Sequence, residues 1–243
     1  MDRIKWDYHT HTVYSHGKGT IEDNVRVAVK KGLTRIAISD HGPGHISYGI
    51  KRARIKDMRR DIDDIKNRCP EIEILLGVEA NVINRSGALD LTDEEKEMFD
   101  IVMAGYHYGA FGEQPGHDLG VHAKNLLLNS FGTSTRKLKN ANTELMVRAI
   151  YENKLLAITH PGAKYDIYIN EVAKACADRG VWMEINNSHP FLTAKTIAEA
   201  AEFDVTFVIG SDAHVPHKVG CCEKAAARLR ESGVDRKRVI NLL

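Results

Sequence analysis

The chain has 243 residues, with 34 Lys and Arg against 33 Asp and Glu, so its formal net charge is +1 and its pI is near 7.8. Nucleic-acid-binding domains usually carry a basic excess and a pI above about 9, so this balance argues against nucleic acid as a partner. Hydrophobic residues make up 43% of the chain and charged residues 28%, which excludes a disordered or fibrous protein. We expect one globular domain, residues 1–243.

The start of the chain and its cysteines predict a compartment. The first seven residues lack the apolar segment of a signal peptide, and no 18 uncharged apolar residues run together. Its four cysteines show no Cys-x-x-Cys spacing, which argues against a disulfide framework and a thiolate zinc site. We therefore expect a cytoplasmic protein with no membrane association.

Seven short apolar runs are predicted to be buried parallel strands because of their length and β-branched content. They span residues 4–8, 35–39, 73–78, 101–105, 156–159, 181–185 and 206–209. Helices are predicted between them at about 20–31, 55–69, 141–153, 169–179, 194–202 and 222–231. This alternation favours an α/β fold with a parallel sheet, either closed into a barrel or open and doubly wound.

Two helices have clear boundary signals. Thr20 and Asp23 form a capping-box start, and Gly32 follows the predicted end of that helix. The next helix has an apolar stripe and ends at Pro70. The stripe consists of Ile55, Met58, Ile62, Ile65 and Cys69.

The Gly-, Asn- and Ser-rich segment from about 108 to 140 is predicted to be an excursion over one end of the sheet, or a lid.

Histidines and acids follow the predicted strands, at the ends that line the ligand site in parallel α/β folds. They are His9 and His11, Asp40 and His41, Glu79, His107, His160, Glu184, and Asp212 and His214. Side chains at i and i+2 of an extended segment point the same way, so His9 and His11 should converge. Imidazoles and carboxylates bind Zn²⁺, Mn²⁺ or Fe²⁺, and this set is too large for one ion. Sites with two or three such ions usually hydrolyse their substrates, commonly phosphate esters.

The order of these motifs resembles the PHP (polymerase and histidinol phosphatase) family. The motifs are His9-x-His11, Ser39-Asp40-His41, Gly77-Val78-Glu79-Ala80-Asn81, His107, His160-Pro161-Gly162 and Gly210-Ser211-Asp212-Ala213-His214. Segments 87–90 and 184–188 also resemble the single-domain, YcdX-type phosphatases of that family. The resemblance implies a distorted, TIM-like (β/α)7 barrel that holds three divalent metal ions, with zinc favoured and manganese or iron as alternatives.

The resemblance also implies which residues bind each ion. The first ion would be held by His9, His11, Glu79 and Asp212. Glu79 would bridge to a second ion, which His107 and His160 complete. The third ion would be held by His16, His41 and His214. Asp40 is predicted to bond to structure rather than to metal. His45, His117, His122, His189 and His217 have no ligand role that the sequence reveals.

The implied activity is that of a phosphatase acting on a small phosphorylated metabolite. Glu79 and Asp212 would act through the metals they hold, and a hydroxide bridging two ions would attack phosphorus. Lys164, Asn186 and Asn187 are candidates for contacts with the substrate, since charge-assisted hydrogen bonds suit phosphate oxygens.

Four other functions stay open on the sequence. They are a histidinol-phosphate phosphatase, a PHP-type nuclease, an amidohydrolase acting on a C–N bond, and a non-catalytic metal-binding or sensing domain. The near-neutral charge counts against the nuclease.

Overall fold

The computed structural model describes residues 2–112, 115–130 and 135–243, and seven of its strands form one sheet in which every neighbouring pair is parallel. The strands lie in chain order: β1 Trp6–Asp7, β2 Arg35–Ile38, β3 Glu73–Asn81, β4 Ile101–Gly105, β5 Ala157–Ile158, β6 Trp182–Asn186 and β7 Phe207–Gly210. All seven predicted strands are confirmed, and β3 runs three residues beyond its predicted end.

The sheet closes because the chain beyond β1 meets the chain beyond β7. Thr10 pairs with Ala213 in the parallel sense, and the His11 N–H donates to the Ala213 carbonyl at 2.9 Å. At the opposite end of the barrel, the last residues of the chain fill the gap, where the Lys5 N–H donates to the Asn241 carbonyl at 2.8 Å. The fold is therefore the distorted (β/α)7 barrel, and the open, doubly wound alternative is wrong.

Asn241 holds this closure together. Its side chain is fully buried, and its amide nitrogen donates to the carbonyls of Trp6 at 2.9 Å and Ile209 at 2.8 Å. Its Oδ1 accepts from the Ile209 N–H at 3.0 Å. One side-chain amide thus bonds to backbone groups of both β1 and β7, at a point where these two strands do not pair directly with each other.

Replacing Asn241 by Ala is expected to lower the free energy of unfolding by about 3 kcal/mol, because three buried backbone groups lose their partners. Urea denaturation would measure the difference. Asn67→Ala, on an exposed position of the second helix, is the matched control and should leave stability unchanged or slightly raised. An Asn241→Ala protein as stable as the wild type would show that the barrel does not depend on this closure.

Eight α-helices are present among the described residues. They are α1 Ile21–Lys30, α2 Ile55–Arg68, α3 Asp93–Lys96, α4 Pro115–Ser130, α5 Arg136–Glu152, α6 Ile169–Arg179, α7 Ala194–Ala200 and α8 Glu223–Ser232. The six predicted helices are confirmed, as are the Thr20 capping box and the buried stripe of α2, of which only Cys69 is partly exposed. No described helix is both long and apolar enough to cross a membrane.

The segment 108–140 contains more regular structure than its composition predicts. It contains α4 and the first turn of α5, which begins five residues earlier than predicted. The side-chain amides of Asn125 in α4 and Asn142 in α5 donate to each other at 2.8 Å in a buried pair. A polar pair of this kind joins two helices without the apolar spacing that marks a helix in a sequence. The use of this segment as a lid stays a prediction, and residues 113–114 and 131–134 lie outside the described part.

The strands present their two faces to two different apolar clusters. One alternating set of side chains, including Ile36, Ile74 and Ile209, belongs to a large core shared with the helices. The other set forms a smaller cluster of Trp6, Tyr8, Ala37, Met103, Ala157 and Val208. The Trp6 ring lies 5.6 Å from the Trp182 ring although their strands are not neighbours, so this second cluster fills the interior of the barrel. Glu79, Glu184 and Asp212 continue the interior-facing set toward the carboxyl ends of the strands.

Candidate metal centre

The predicted ligands come together at the carboxyl ends of the strands, directly above the interior cluster. Seven of them are buried: His9, His11, His41, Glu79, His107, His160 and Asp212. His214 is partly buried at the edge of the group. The structure therefore brings together side chains that are separated by up to about 200 residues in the chain, as the strand-end argument predicts.

Glu79 lies at the centre of this cluster, with histidines on each of its two oxygens. Its Oε1 is 2.8 Å from His160 Nε2 and 3.6 Å from His107 Nε2. Its Oε2 is 2.9 Å from His41 Nδ1, 3.3 Å from His9 Nε2 and 3.7 Å from His11 Nε2. A carboxylate whose two oxygens face different groups of imidazoles can serve two metal ions at once.

Asp212 forms a second centre beside Glu79. Its Oδ1 is 3.3 Å from His11 Nε2, 3.7 Å from His9 Nε2 and 3.3 Å from His214 Nδ1. Three groups of side chains each have ligand atoms that all lie within 4.8 Å of one another. The groups are His9, His11 and Asp212; His41, Glu79 and His107; and His11, His41 and His214. The first group repeats three of the four ligands predicted for one ion. The other two place His41 and His11 between neighbouring sites, so the assignment of ligands to particular ions stays a prediction.

His16 reaches the cluster from the loop after His11. It is exposed, and its ring lies 4.2 Å from the ring of His214 and 4.9 Å from that of His41. The Tyr48 ring lies 4.4 Å from it on another side. His16 therefore lies beside the two other residues of its predicted set, at the open side of the site.

The nitrogen and oxygen atoms of the cluster are better suited to binding metal ions than to forming hydrogen bonds with one another. Within the described ranges, six buried atoms of the cluster make no hydrogen bond of acceptable geometry, even where two of them lie as close as His41 Nδ1 and Glu79 Oε2, at 2.9 Å. They are His9 Nε2, His11 Nδ1, His11 Nε2, His41 Nδ1, Glu79 Oε2 and His160 Nδ1. Leaving a buried polar atom unpaired costs about 1–3 kcal/mol, so this concentration of them calls for a ligand. Imidazole nitrogen and carboxylate oxygen are the donors that zinc, manganese and iron accept.

The histidines of the cluster divide into two groups by the direction of their pKa. Burial would lower the pKa of His9 and His160, but the neighbouring carboxylates, Glu184 first for His9 and Glu79 first for His160, raise it above the usual range of histidine. Burial lowers the pKa of His41 and of His107 well below the usual range of histidine, which leaves neutral imidazoles. Burial alone would raise the pKa of Glu79, but the neighbouring histidines, His9 first, hold it well below its usual range. Burial would likewise raise the pKa of Asp212, and His9 is again the first of the neighbours that hold it well below its usual range. Neutral imidazole and ionised carboxylate are the forms that bind metal.

Glu184 supports the cluster, although the sequence indicated no particular role for it. It is buried on β6, and its Oε1 lies 2.7 Å from His9 Nδ1. Its Oε2 accepts from the His160 N–H at 2.7 Å and from the Asn186 side chain at 2.9 Å. A carboxylate that accepts a hydrogen bond from the Nδ1–H of a histidine keeps the proton on Nδ1 and leaves Nε2 free for a metal. A signal was present in the sequence, because Glu184 ends a strand on the same face as the other acids.

Further buried bonds orient the other ligands. The Asn81 Oδ1 lies 2.7 Å from His107 Nδ1, and the Asn81 amide donates to Asp90 at 2.5 Å. The Thr159 hydroxyl donates to Glu79 Oε1 at 2.6 Å. Asp40 accepts from the Thr12 backbone at 2.7 Å and from the hydroxyls of Thr12 and Ser15, in agreement with its predicted structural role.

Two predicted ligands have unusual backbone conformations. His160 has φ +26° and Asp212 has φ +53°, and among the described non-glycine residues only Lys164, at +65°, shares this region. Residues other than glycine rarely adopt a positive φ, and such backbone strain concentrates at functional sites. The three residues lie at or beside the cluster, which supports its being the working part of the molecule.

The three predicted substrate contacts differ in their surroundings. Lys164 is partly buried, and burial lowers its pKa against the opposing effect of Glu79 and Asp212. Asn186 donates to Glu184 and, at 3.2 Å, to Asp212 Oδ2. Asn187 Oδ1 accepts from the first N–H groups of α8 at 2.9 and 3.2 Å, so this side chain bonds to the start of that helix. Contact of any of the three with a substrate stays a prediction.

His189 comes closer to the cluster than its sequence position indicated. Its Nε2 lies 3.3 Å from Asp212 Oδ2, and its ring is 5.4 Å from the ring of His160. Its backbone N–H donates to Asn186 Oδ1 at 2.7 Å, which fixes the loop after β6. Only this short loop brings His189 to the site, so no spacing in the sequence could have revealed it.

A parallel barrel with a buried cluster of imidazoles and carboxylates at the carboxyl ends of its strands defines a metal-dependent hydrolase. Residues 7–188 match the model of the PHP domain. The chain belongs to the PHP domain family.

Related proteins agree with this assignment. The chain is 34% identical to a probable phosphatase of Shewanella sp. strain MR-4, over 97% of this chain and 86% of that protein. It is 33% identical to a probable phosphatase of Thermoanaerobacter sp. strain X514, over 98% and 91%. The histidinol phosphate phosphatase of Lactococcus lactis, solved with zinc, L-histidinol and phosphate, superposes with a TM-score of 0.58 at 16% identity, over 94% of each chain. At that identity the likeness shows the fold alone.

Proposed function

We propose that this protein hydrolyses a small phosphomonoester at a site of three divalent metal ions, with zinc as the favoured metal. The observation that carries the proposal is the group of six buried nitrogen and oxygen atoms around Glu79 and Asp212 that could bind a metal and make no hydrogen bond. The number of ligand side chains supports more than one ion, since a single ion takes four to six donors. The names of the two bacterial relatives, both probable phosphatases, support phosphate esters as substrates.

The ions, when bound, would supply a nucleophile from water at neutral pH and positive charge for the phosphate oxygens. The chain's own residues prepare the site for them. Glu79 would be a ligand shared by two ions, because its two oxygens face different histidines. Glu184 and Asn81 would orient the imidazoles of His9 and His107. Lys164 would add a positive charge next to a bound phosphoryl group.

The experiment that tests the proposal is phosphate release by metal-loaded protein from a panel of phosphomonoesters that includes histidinol phosphate. A phosphodiester, single-stranded DNA and a chelated sample are the controls, and metal content is measured by mass spectrometry on the same protein. We expect chelator-sensitive release confined to monoesters. Hydrolysis of the diester or of DNA alone would favour the nuclease, and no turnover by fully metallated protein would favour a sensing role.

A further inference from the structure

A groove opens beside the ligand cluster, between the loop that follows β5 and the helices α6 and α7. It has a volume of about 820 Å³, which is in the range of small-molecule sites. In the part of the chain that the structure describes, its apolar walls include Pro161, Tyr165, Ile167, Tyr168 and Phe191. None of these five belongs to the ligand cluster, so the groove offers contacts that the metal chemistry leaves unused.

The groove begins where the ligand cluster ends. Pro161 follows His160 directly, and the rings of His160 and His189 are 5.4 Å apart. The ring of Phe191 lies 6.1 Å from that of His189, and a Cβ placed on Gly162 would lie 3.8 Å from Phe191 Cβ. An ester whose phosphoryl group is held at the cluster could therefore extend its alcohol part past His189 and along Phe191.

The groove is lined by charged residues of both signs. Lys164 lines the groove and interacts electrostatically with Glu79 and Asp212 of the cluster, and Glu171 on α6 and Glu199 on α7 also line the groove. Three of the charged lining residues have ion-pair partners: Asp166 lies 3.0 Å from Lys139, whose ammonium also lies over the Tyr168 ring, and Lys195 lies 3.7 Å from Glu199. Lys164 thus places a positive charge beside the cluster, and in the rest of the lining the carboxylates of Asp166, Glu171 and Glu199 outnumber the ammonium of Lys139. Such a distribution disfavours an alcohol part that carries its own anionic group.

Phe191 is the wall residue with the most ring surface to offer. It is 48% exposed, so much of its ring surface is open to a ligand. Aromatic rings gain by offset stacking on other rings, in addition to the area that they bury. A flat ring in the ligand would cover this exposed face of Phe191.

We propose that this groove binds the leaving alcohol, and that it selects phosphomonoesters whose alcohol part carries a flat apolar ring and no second anionic group. This inference rests on the proposed phosphatase function and specifies its substrate class. Phe191 is the main specificity-determining residue, while the metal cluster acts on the phosphoryl group of any monoester that reaches it.

Ethyl phosphate and 2-phenylethyl phosphate test the groove, because both release primary alkoxides and differ by one ring. We expect kcat/KM of the metal-loaded protein to be about 10-fold or more higher for the phenylethyl ester, since burial of a ring is worth at least that factor. Phe191→Ala should reduce this ratio to about 2, because the ring of the ester loses the surface on which it packs. The matched control is Ile46→Ala, which removes an exposed apolar side chain from the loop after β2 and should leave the ratio unchanged.

Binding separates a failure of the groove from a failure of the phosphatase. Calorimetry with 3-phenylpropylphosphonate and propylphosphonate, which cannot be hydrolysed, measures the same ring preference without turnover. A preference that Phe191→Ala removes, with no hydrolysis of either ester, would support the groove and contradict the phosphatase. Equal hydrolysis of the two esters, no ring preference in binding, or a ratio that Ile46→Ala lowers and Phe191→Ala does not, would overturn the groove.

Discussion

Replacing Glu79 by Gln is expected to lower kcat by about 10³-fold or more, because the change removes the charge that two metal ions would share. Glu79 is fully buried and faces His9, His41, His107 and His160 with its two oxygens. Gln has the same shape, so the packing around it is preserved, but its amide nitrogen cannot bind a metal. We expect the variant to bind fewer ions per chain than the wild type, as measured by mass spectrometry.

Glu73→Gln is the matched control for this experiment. Glu73 lies on the same strand, β3, but its side chain is exposed and pairs with Arg35 at 2.6 Å on the surface. Exposed ion pairs contribute about 0–1 kcal/mol, so the control should retain both activity and metal content. Thermal denaturation with and without added zinc gives a further comparison, because a ligand that binds only the folded state raises Tm. Full activity or full metal content in Glu79→Gln would show that Glu79 is not a bridging ligand.

Replacing Glu184 by Gln is expected to lower metal affinity and activity by about 10- to 100-fold, through the tautomer of His9. Glu184 Oε2 accepts from two donors, the His160 N–H and the Asn186 side chain, so the carbonyl oxygen of Gln must take that position. The Gln amide nitrogen then faces His9 Nδ1 and donates to it. His9 must carry its proton on Nε2 instead, and Nε2 is the atom that faces Glu79 and Asp212.

Nitrogen NMR of the histidine side chains distinguishes this effect from simple loss of packing. Glu184, Glu79 and Asp212 raise the pKa of His9, so the spectra are recorded at a pH where its ring is neutral. There we expect the His9 proton on Nδ1 in the wild type and on Nε2 in Glu184→Gln, with little change in urea stability. Glu202→Gln, at an exposed position after α7, is the control and should change neither the tautomer nor the activity. An unchanged His9 tautomer together with weakened metal binding would show that Glu184 does not act through the His9 proton.

Much of the fold could be predicted from local patterns. The strands are short and β-branched, and α1 and α2 carry capping, stripe and stop signals, so short-range energetics specify them. The helix α4 is different, because the buried amide pair of Asn125 and Asn142 that joins it to α5 exists only after the two helices have met. Barrel closure is similar, since it depends on Asn241, which lies 235 residues away from Trp6.

The candidate site divides in the same way. The ligand types and their place after successive parallel strands could be read from the chain alone, because the carboxyl ends of such strands must share one rim of the barrel. Three features could not be read in this way: Glu184 as the partner of His9, His189 as a neighbour of Asp212, and the groove along Phe191. They depend on which side chains meet across loops and neighbouring strands. Folding in three dimensions settles them, because such contacts arise from packing and not from spacing along the chain.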